Sequence, residues 1–134
     1  MTTTDHEAIR ALFASYCQFC DDGRWDEFAG LFTEDAQFHV MGQIHTGRAA
    51  VTAFMEVNQP PELRGKHIIS EPLIDLAEDG SSARCSTDYV FVTRRGADLV
   101  ALSTGRYVDQ LRRDGDRWQF ASREIVFLGD QPTT

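Results

Sequence analysis

Residues 82–127, SARCSTDYVFVTRRGADLVALSTGRYVDQLRRDGDRWQFASREIVF, form three long runs of period two, broken at Arg95-Gly96 and Asp114-Gly115. Alternation marks half-buried strands, and a residue-glycine dipeptide between two such runs suits a tight antiparallel connection. The runs 82–94, 98–112 and 117–128 are therefore predicted as strands, and a fourth, 66–77, precedes them across Asp79-Gly80. Strands this long exceed the usual mode of about five or six residues. A sheet made of them must twist strongly, and helices closing its concave face would leave a cavity inside.

Upstream the period is 3.6. Thr4 and Glu7 have the spacing of a capping box, in which hydroxyl and carboxylate each satisfy an orphan N–H. Ile9, Leu12, Phe13, Tyr16, Cys17 and Cys20 then form one apolar helical stripe, and Gly23 is the expected stop. A short second helix is predicted from Trp25 to about Phe32, a strand or hairpin over 35–46 around Gly42, and a third helix over 47–58, stopped by Pro60 and Pro61. Helices first and a strand meander afterwards is the α+β pattern, read here as a single domain over 1–134.

Charge and composition exclude several functions. The 134 residues carry a net charge of −8, with the arginines scattered and not gathered into a stripe, so nucleic acids and anionic membranes are not expected partners. No apolar run approaches the ~20 residues of a membrane span, and the N-terminus MTTTDHEAIR lacks the features of a signal peptide, so a cytoplasmic protein is expected. Three cysteines without a secretory signal are expected to be reduced thiols. Cys17-x-x-Cys20 lies near the end of its helix, not the start where the dipole would activate a thiol, and no second paired spacing completes a zinc site; core packing is the expected role.

The candidates for chemistry are plainer. Asp21 continues the edge of the buried stripe, where an inward carboxylate needs a partner. His67 opens the run KHIIS; among side chains, histidine is the one that exchanges protons near neutral pH. His6, His39 and His45 lie in a helix's first turn and a Gly-containing hairpin, and are weaker candidates. Arg123, in FASREIVF, occupies the pleat opposite Trp118, Phe120, Val126 and Leu128, and projects into the cavity if odd-numbered residues face inward. Asp88 and Arg106 have the placement of a cross-strand ion pair.

In order and spacing, Tyr16 and Asp21 on the first helix, DGRWDEFAGLFTEDAQF, TGRAAVTAF, KHIIS and GRYVDQLRRDGDRWQFASR resemble the SnoaL-like branch of the NTF2-like superfamily, from about Ala8 to Leu128. The resemblance implies a cone of three helices packed into a strongly curved mixed sheet around an apolar pocket. It implies a catalytic pair of Asp21 and His67, with Tyr16 and Arg123 beside them, and adds Asp88 and Tyr107 as further substrate contacts. Members include dehydratases, a dehydrochlorinase, polyketide cyclases, an isomerase and oxygenase β subunits, so fold alone does not fix function. Scytalone dehydratase would have a tyrosine where Cys20 stands and a second pocket histidine where residues 68–134 have none; in ketosteroid isomerase the histidine would have no role.

The expected function is a cofactor-independent lyase or isomerase. His67 would remove a proton from carbon, Asp21 would hold its ring, and Tyr16 and Arg123 would stabilise a developing oxyanion. An apolar wall including Phe38, Phe54, Val90 and Leu102 would receive a small hydrophobic cyclic substrate of steroid, terpenoid, polyketide or aromatic type. No metal or cofactor is called for. The alternatives are a polyketide cyclase or a non-catalytic binding or assembly domain, and a homodimer or higher homo-oligomer is expected in either case.

Overall fold

The computed structural model describes residues 3–133. Helix α1 (Asp5–Asp22) starts on the expected capping box: Glu7 N–H donates to the Thr4 hydroxyl at 3.1 Å, and the Glu7 carboxylate accepts from Thr4 N–H. It stops at Gly23, whose left-handed φ of 69° lets its N–H reach back to the last carbonyls. Helix α2 (Trp25–Ala29) is shorter than predicted, because Phe32 already belongs to strand β1 (Phe32–Val40). Strand β2 (Gln43–Thr46) closes the expected hairpin, and helix α3 (Arg48–Asn58) ends before the two prolines, the second of which opens a 3-10 turn at Pro61–Leu63.

The predicted strand over 66–77 is two strands, β3 (Lys66–Ile69) and β4 (Leu73–Leu76). Pro72 has no N–H to give a ladder, and the chain leaves the edge around it before β4 rejoins the same neighbour. Strands β5 (Ser82–Arg95), β6 (Asp98–Asp114) and β7 (Arg117–Phe127) form the meander. The sheet order is β2-β1-β7-β6-β5-β3, with β4 also on β5, and β1 runs parallel to β7, so the sheet is mixed and open.

Three helices pack on the concave face, giving the α+β architecture expected. Odd-numbered residues of β5 face inward: Ala83, Cys85, Thr87, Tyr89, Phe91 and Thr93 are all buried. On β7 the alternation breaks. Leu111 pairs with Phe120 but Gln110 with Ser122, so Ala121 is an extra residue, a β-bulge, and both Phe120 and Arg123 turn inward. The opposite-pleat placement of Arg123 and Phe120 is thereby corrected. A second register shift lies between Phe91 and Val92 of β5, where Phe91 pairs with Ser103 and Val92 with Ala101. Leu102 is the extra residue and is 44% exposed; Val90 pairs with Thr104 on the even-numbered outer pleat. Neither belongs to the apolar wall.

Candidate active site

The end of α1 and the start of β3 meet, and each contributes one side chain. Asp21 Oδ1 lies 2.6 Å from His67 Nδ1, and the same carboxylate accepts the His67 backbone N–H at 3.0 and 3.2 Å. Both side chains are nearly buried, 4% and 7% exposed. A carboxylate only accepts, so Nδ1 carries the shared proton, and in the neutral tautomer this leaves the lone pair on Nε2. The ring lies against Phe91, its cross-strand partner, with centroids 4.5 Å apart. Cys20 Sγ also lies within 4.8 Å of the pair, a donor set that could hold a metal ion. The 2.6 Å contact is a hydrogen bond, and two donors at ~2.0–2.2 Å from a tetrahedral zinc would stand over 3 Å apart, so the geometry fits a dyad better than a metal centre.

His67 lines a cavity of about 130 Å³ together with Tyr16, Phe54, Met55, Tyr89, Phe91 and Tyr107. Met41, Asn58, Gln59, Ser103, Ile125 and Phe127 complete the lining with Val40. The rings of Tyr89 and Tyr107 stack at 4.5 Å, and the Tyr89 hydroxyl shares a hydrogen bond with Ser103 at 2.8 Å. Phe54 and Tyr107, expected as substrate contacts, both line this cavity. Phe38 is fully buried behind Phe54, at 6.0 Å between centroids, and supports the wall without lining it. Asp88 is corrected: it sits on the outer pleat, ion-paired at 2.6 Å with Arg106, and both are more than half exposed.

Tyr16 is wholly buried at the cavity floor, and its hydroxyl has no hydrogen-bond partner among the described residues. Burial holds its pKa far above the ordinary 10.0 against an opposing pull from Arg123, so the hydroxyl keeps its proton and is a donor. Arg123 is just beneath, but the cavity does not reach it. Its Nε and Nη2 donate to the two Asp109 oxygens at 2.7 and 2.9 Å, and its side chain is 1% exposed. The fork expected to hold a substrate oxygen is therefore occupied. The guanidinium carbon sits 3.9 Å from the Tyr107 ring centroid and 4.2 Å from those of Tyr16 and Phe120, so the pair supports the floor from below. Burial works against the Arg123 charge, but the Asp109 carboxylate outweighs it and raises the pKa above the ordinary value.

Sequence reasoning missed Asp109, although it shares a pleat with Tyr107 and Leu111 in GRYVDQL and sits opposite Arg123 in register. Met41, Asn58 and Gln59 carried no signal, since a hairpin turn and a helix end reach the cavity through the fold alone. The CxxC thiols are buried and free, with burial pushing Cys17 up to about 11 and Cys20 still higher. Packing is their place in the structure.

Among solved structures, an NTF2-like protein with a cystatin-like fold from Novosphingobium aromaticivorans has a TM-score of 0.85 at 22% identity, over 95% of this chain and 84% of its own. Rv3472 of Mycobacterium tuberculosis, a protein of unknown function, superposes with a TM-score of 0.83 at 27% identity, over 94% of this chain and 72% of its own. A proposed scytalone dehydratase from Novosphingobium aromaticivorans gives 0.77 at 23% identity, over 95% and 87%. None of the curated proteins matches the chain in sequence. No helix among the described residues is long and apolar enough to cross a membrane. The chain shares the fold of that NTF2-like protein, and a family model described as a SnoaL-like domain matches residues 1–124, which makes this chain a member of the SnoaL-like family.

Proposed function

We propose that this protein is a cofactor-independent lyase or isomerase, of dehydration or elimination type, in which His67 Nε2 removes a proton from carbon. The observation that carries the reading is the 2.6 Å contact between His67 Nδ1 and Asp21 at the wall of an apolar cavity. A base needs a free lone pair beside the substrate and a fixed ring; the carboxylate supplies the second by accepting from Nδ1–H and stabilising the imidazolium that forms. Asp21 also anchors the His67 backbone, so ring and main chain are held by one group. Tyr16, protonated and with no hydrogen-bond partner for its buried hydroxyl among the described residues, is the donor assigned to a substrate carbonyl or leaving oxygen, which it would reach from the cavity floor. Arg123 takes no part in contacting substrate in this scheme and acts by supporting Tyr16 and Tyr107.

The apolar, aromatic lining favours a hydrophobic ring, packed against Phe54, Phe91 and the edge of Tyr107. A cavity of about 130 Å³ is small beside the ~300–1,000 Å³ of common ligand sites, which favours one or two fused rings over a steroid. A homodimer or higher homo-oligomer is part of this proposal, as is a single domain. The test is turnover of a panel of small β-hydroxy and α,β-unsaturated cyclic ketones by the wild type, His67→Ala and Asp21→Asn. His67→Ala should abolish turnover with an unchanged circular dichroism spectrum, and Asp21→Asn should reduce it by ~10²-fold or more. Undiminished activity in His67→Ala would sink the assignment.

A further inference from the structure

Met41 and Gly42 are the two central residues of the β1–β2 hairpin: Val40 pairs with Gln43, and the residues between them have φ of 52° and 73°. Positive φ at both positions makes a type I′ turn, whose twist matches the strands it joins. Asn-Gly and Asp-Gly are the favoured occupants, because a short polar side chain can bond locally and glycine has no Cβ to clash. Methionine has neither advantage. Met41 is the one non-glycine residue with positive φ among the described residues. The residue is also 61% exposed, so burial does not offset the strain.

Two unfavourable features coincide at a residue that lines the cavity holding His67. Strained backbone persists where the surroundings require it, and functional sites are where such strain collects. Methionine also suits an edge that must adapt to a ligand, being unbranched, flexible and favourable against aromatic faces. We infer that Met41 is a specificity-determining gate: the I′ turn holds its thioether across the cavity mouth, and its length and softness set which apolar ring enters and how firmly it is held. Asn58 and Gln59, at the end of α3, line the same cavity and offer the polar counterpart. The inference rests on the reading that this cavity takes the substrate.

The test uses 2-naphthol as probe, with binding and thermal unfolding measured for the wild type, Met41→Asn and Met41→Leu. Asparagine suits the turn and removes the gate, so its unfolding midpoint should rise by about 2–6 °C while 2-naphthol binding weakens by roughly 3–10-fold. Leucine keeps an apolar gate under the same strain, and should stay within about twofold of wild-type affinity with no gain in stability. Equal binding by Met41→Asn and the wild type overturns the gate. A Met41→Asn chain with an altered oligomeric state also overturns it, since the exposed thioether would then serve a protein contact. Failure of the wild type to bind 2-naphthol overturns gate and cavity reading together, whereas binding accompanied by full turnover in His67→Ala removes only the catalytic reading.

Discussion

Removing Asp109 should destabilise the fold far more than removing Arg123 at low pH, and the difference follows from what each residue leaves behind. The pair is bidentate, at 2.7 and 2.9 Å, with side chains 1% and 0% exposed. In Asp109→Asn the volume is unchanged but a guanidinium that cannot lose its proton stays buried without a counter-charge. Breaking such a pair costs about 3–5 kcal/mol; the faces of Tyr107, Tyr16 and Phe120 offset part of it, so about 3 kcal/mol is expected. Against a domain stability of ~5–15 kcal/mol that is a large fraction. Arg123→Met leaves a carboxyl that can take up a proton. Burial already pushes Asp109 above its ordinary 3.8 while Arg123 pulls it down, and the substitution removes the downward pull. A carboxyl with a raised folded pKa contributes stability that is present below the unfolded pKa and is lost as pH rises through the folded value. Arg123→Met should therefore be most stable near pH 4 and lose stability towards neutrality, while Asp109→Asn has no such group and should be flatter over that window. Urea unfolding at pH 4, 5.5 and 7 measures all of this; with m of ~1–3 kcal/mol/M, the Asp109→Asn midpoint should fall by roughly 1–3 M. A loss below about 1 kcal/mol in Asp109→Asn, or no pH dependence in Arg123→Met beyond that of the wild type, would refute the reasoning.

The three thiols are buried, so iodoacetamide at pH 8 should modify none of them in the native protein and all three after unfolding, counted by mass spectrometry. Cys17 is raised from 9.0 to about 11, so the folded chain holds a proton that the unfolded chain releases: stability should fall as pH rises from about 9 to about 11, by roughly 3 kcal/mol from this thiol, and less steeply in Cys17→Ala. Gly23→Ala should cost upwards of about 1–2 kcal/mol in urea unfolding, because φ is 69° and the new Cβ would fall on the Arg64 guanidinium; Arg64→Ala in the same chain should recover the steric part and leave the conformational part.

Much of the fold was legible because its signals were local. The capping box, the glycine stop and the helical stripe each act within a few residues and lie where the sequence puts them, while the meander turns fall one residue later than the dipeptides, at Gly96-Ala97 and Gly115-Asp116, with Arg95 and Asp114 still paired in the ladder. The misses come from single residues that change phase. Pro72 divides one expected strand in two, and Ala121 and Leu102 each add one residue to a ladder, which reverses the facing of every residue beyond it. Period-two alternation carries no record of such insertions, so it sets Arg123 opposite Phe120.

The site divides along the same line. Asp21 and His67 lie at the ends of elements whose boundaries were marked in sequence, and their contact follows once α1 packs beside β3. Arg123 shows the converse. Its inward direction was left open by periodicity, yet direction alone does not give a role, because a buried guanidinium must first be neutralised before it can be offered to a ligand. Asp109 takes both ends of the fork, and the rings of Phe13, Tyr16, Tyr107 and Phe120 surround the guanidinium, which does not line the cavity. If the proposed reaction holds, an arginine at this position acts on it only through Tyr16 and Tyr107, by supporting the cavity floor. On the proposed reading, a substitution at Arg123 should then move substrate affinity and stability together with turnover little changed, whereas one at His67 should move turnover most, with a smaller loss of stability from the buried Asp21 carboxylate it leaves behind.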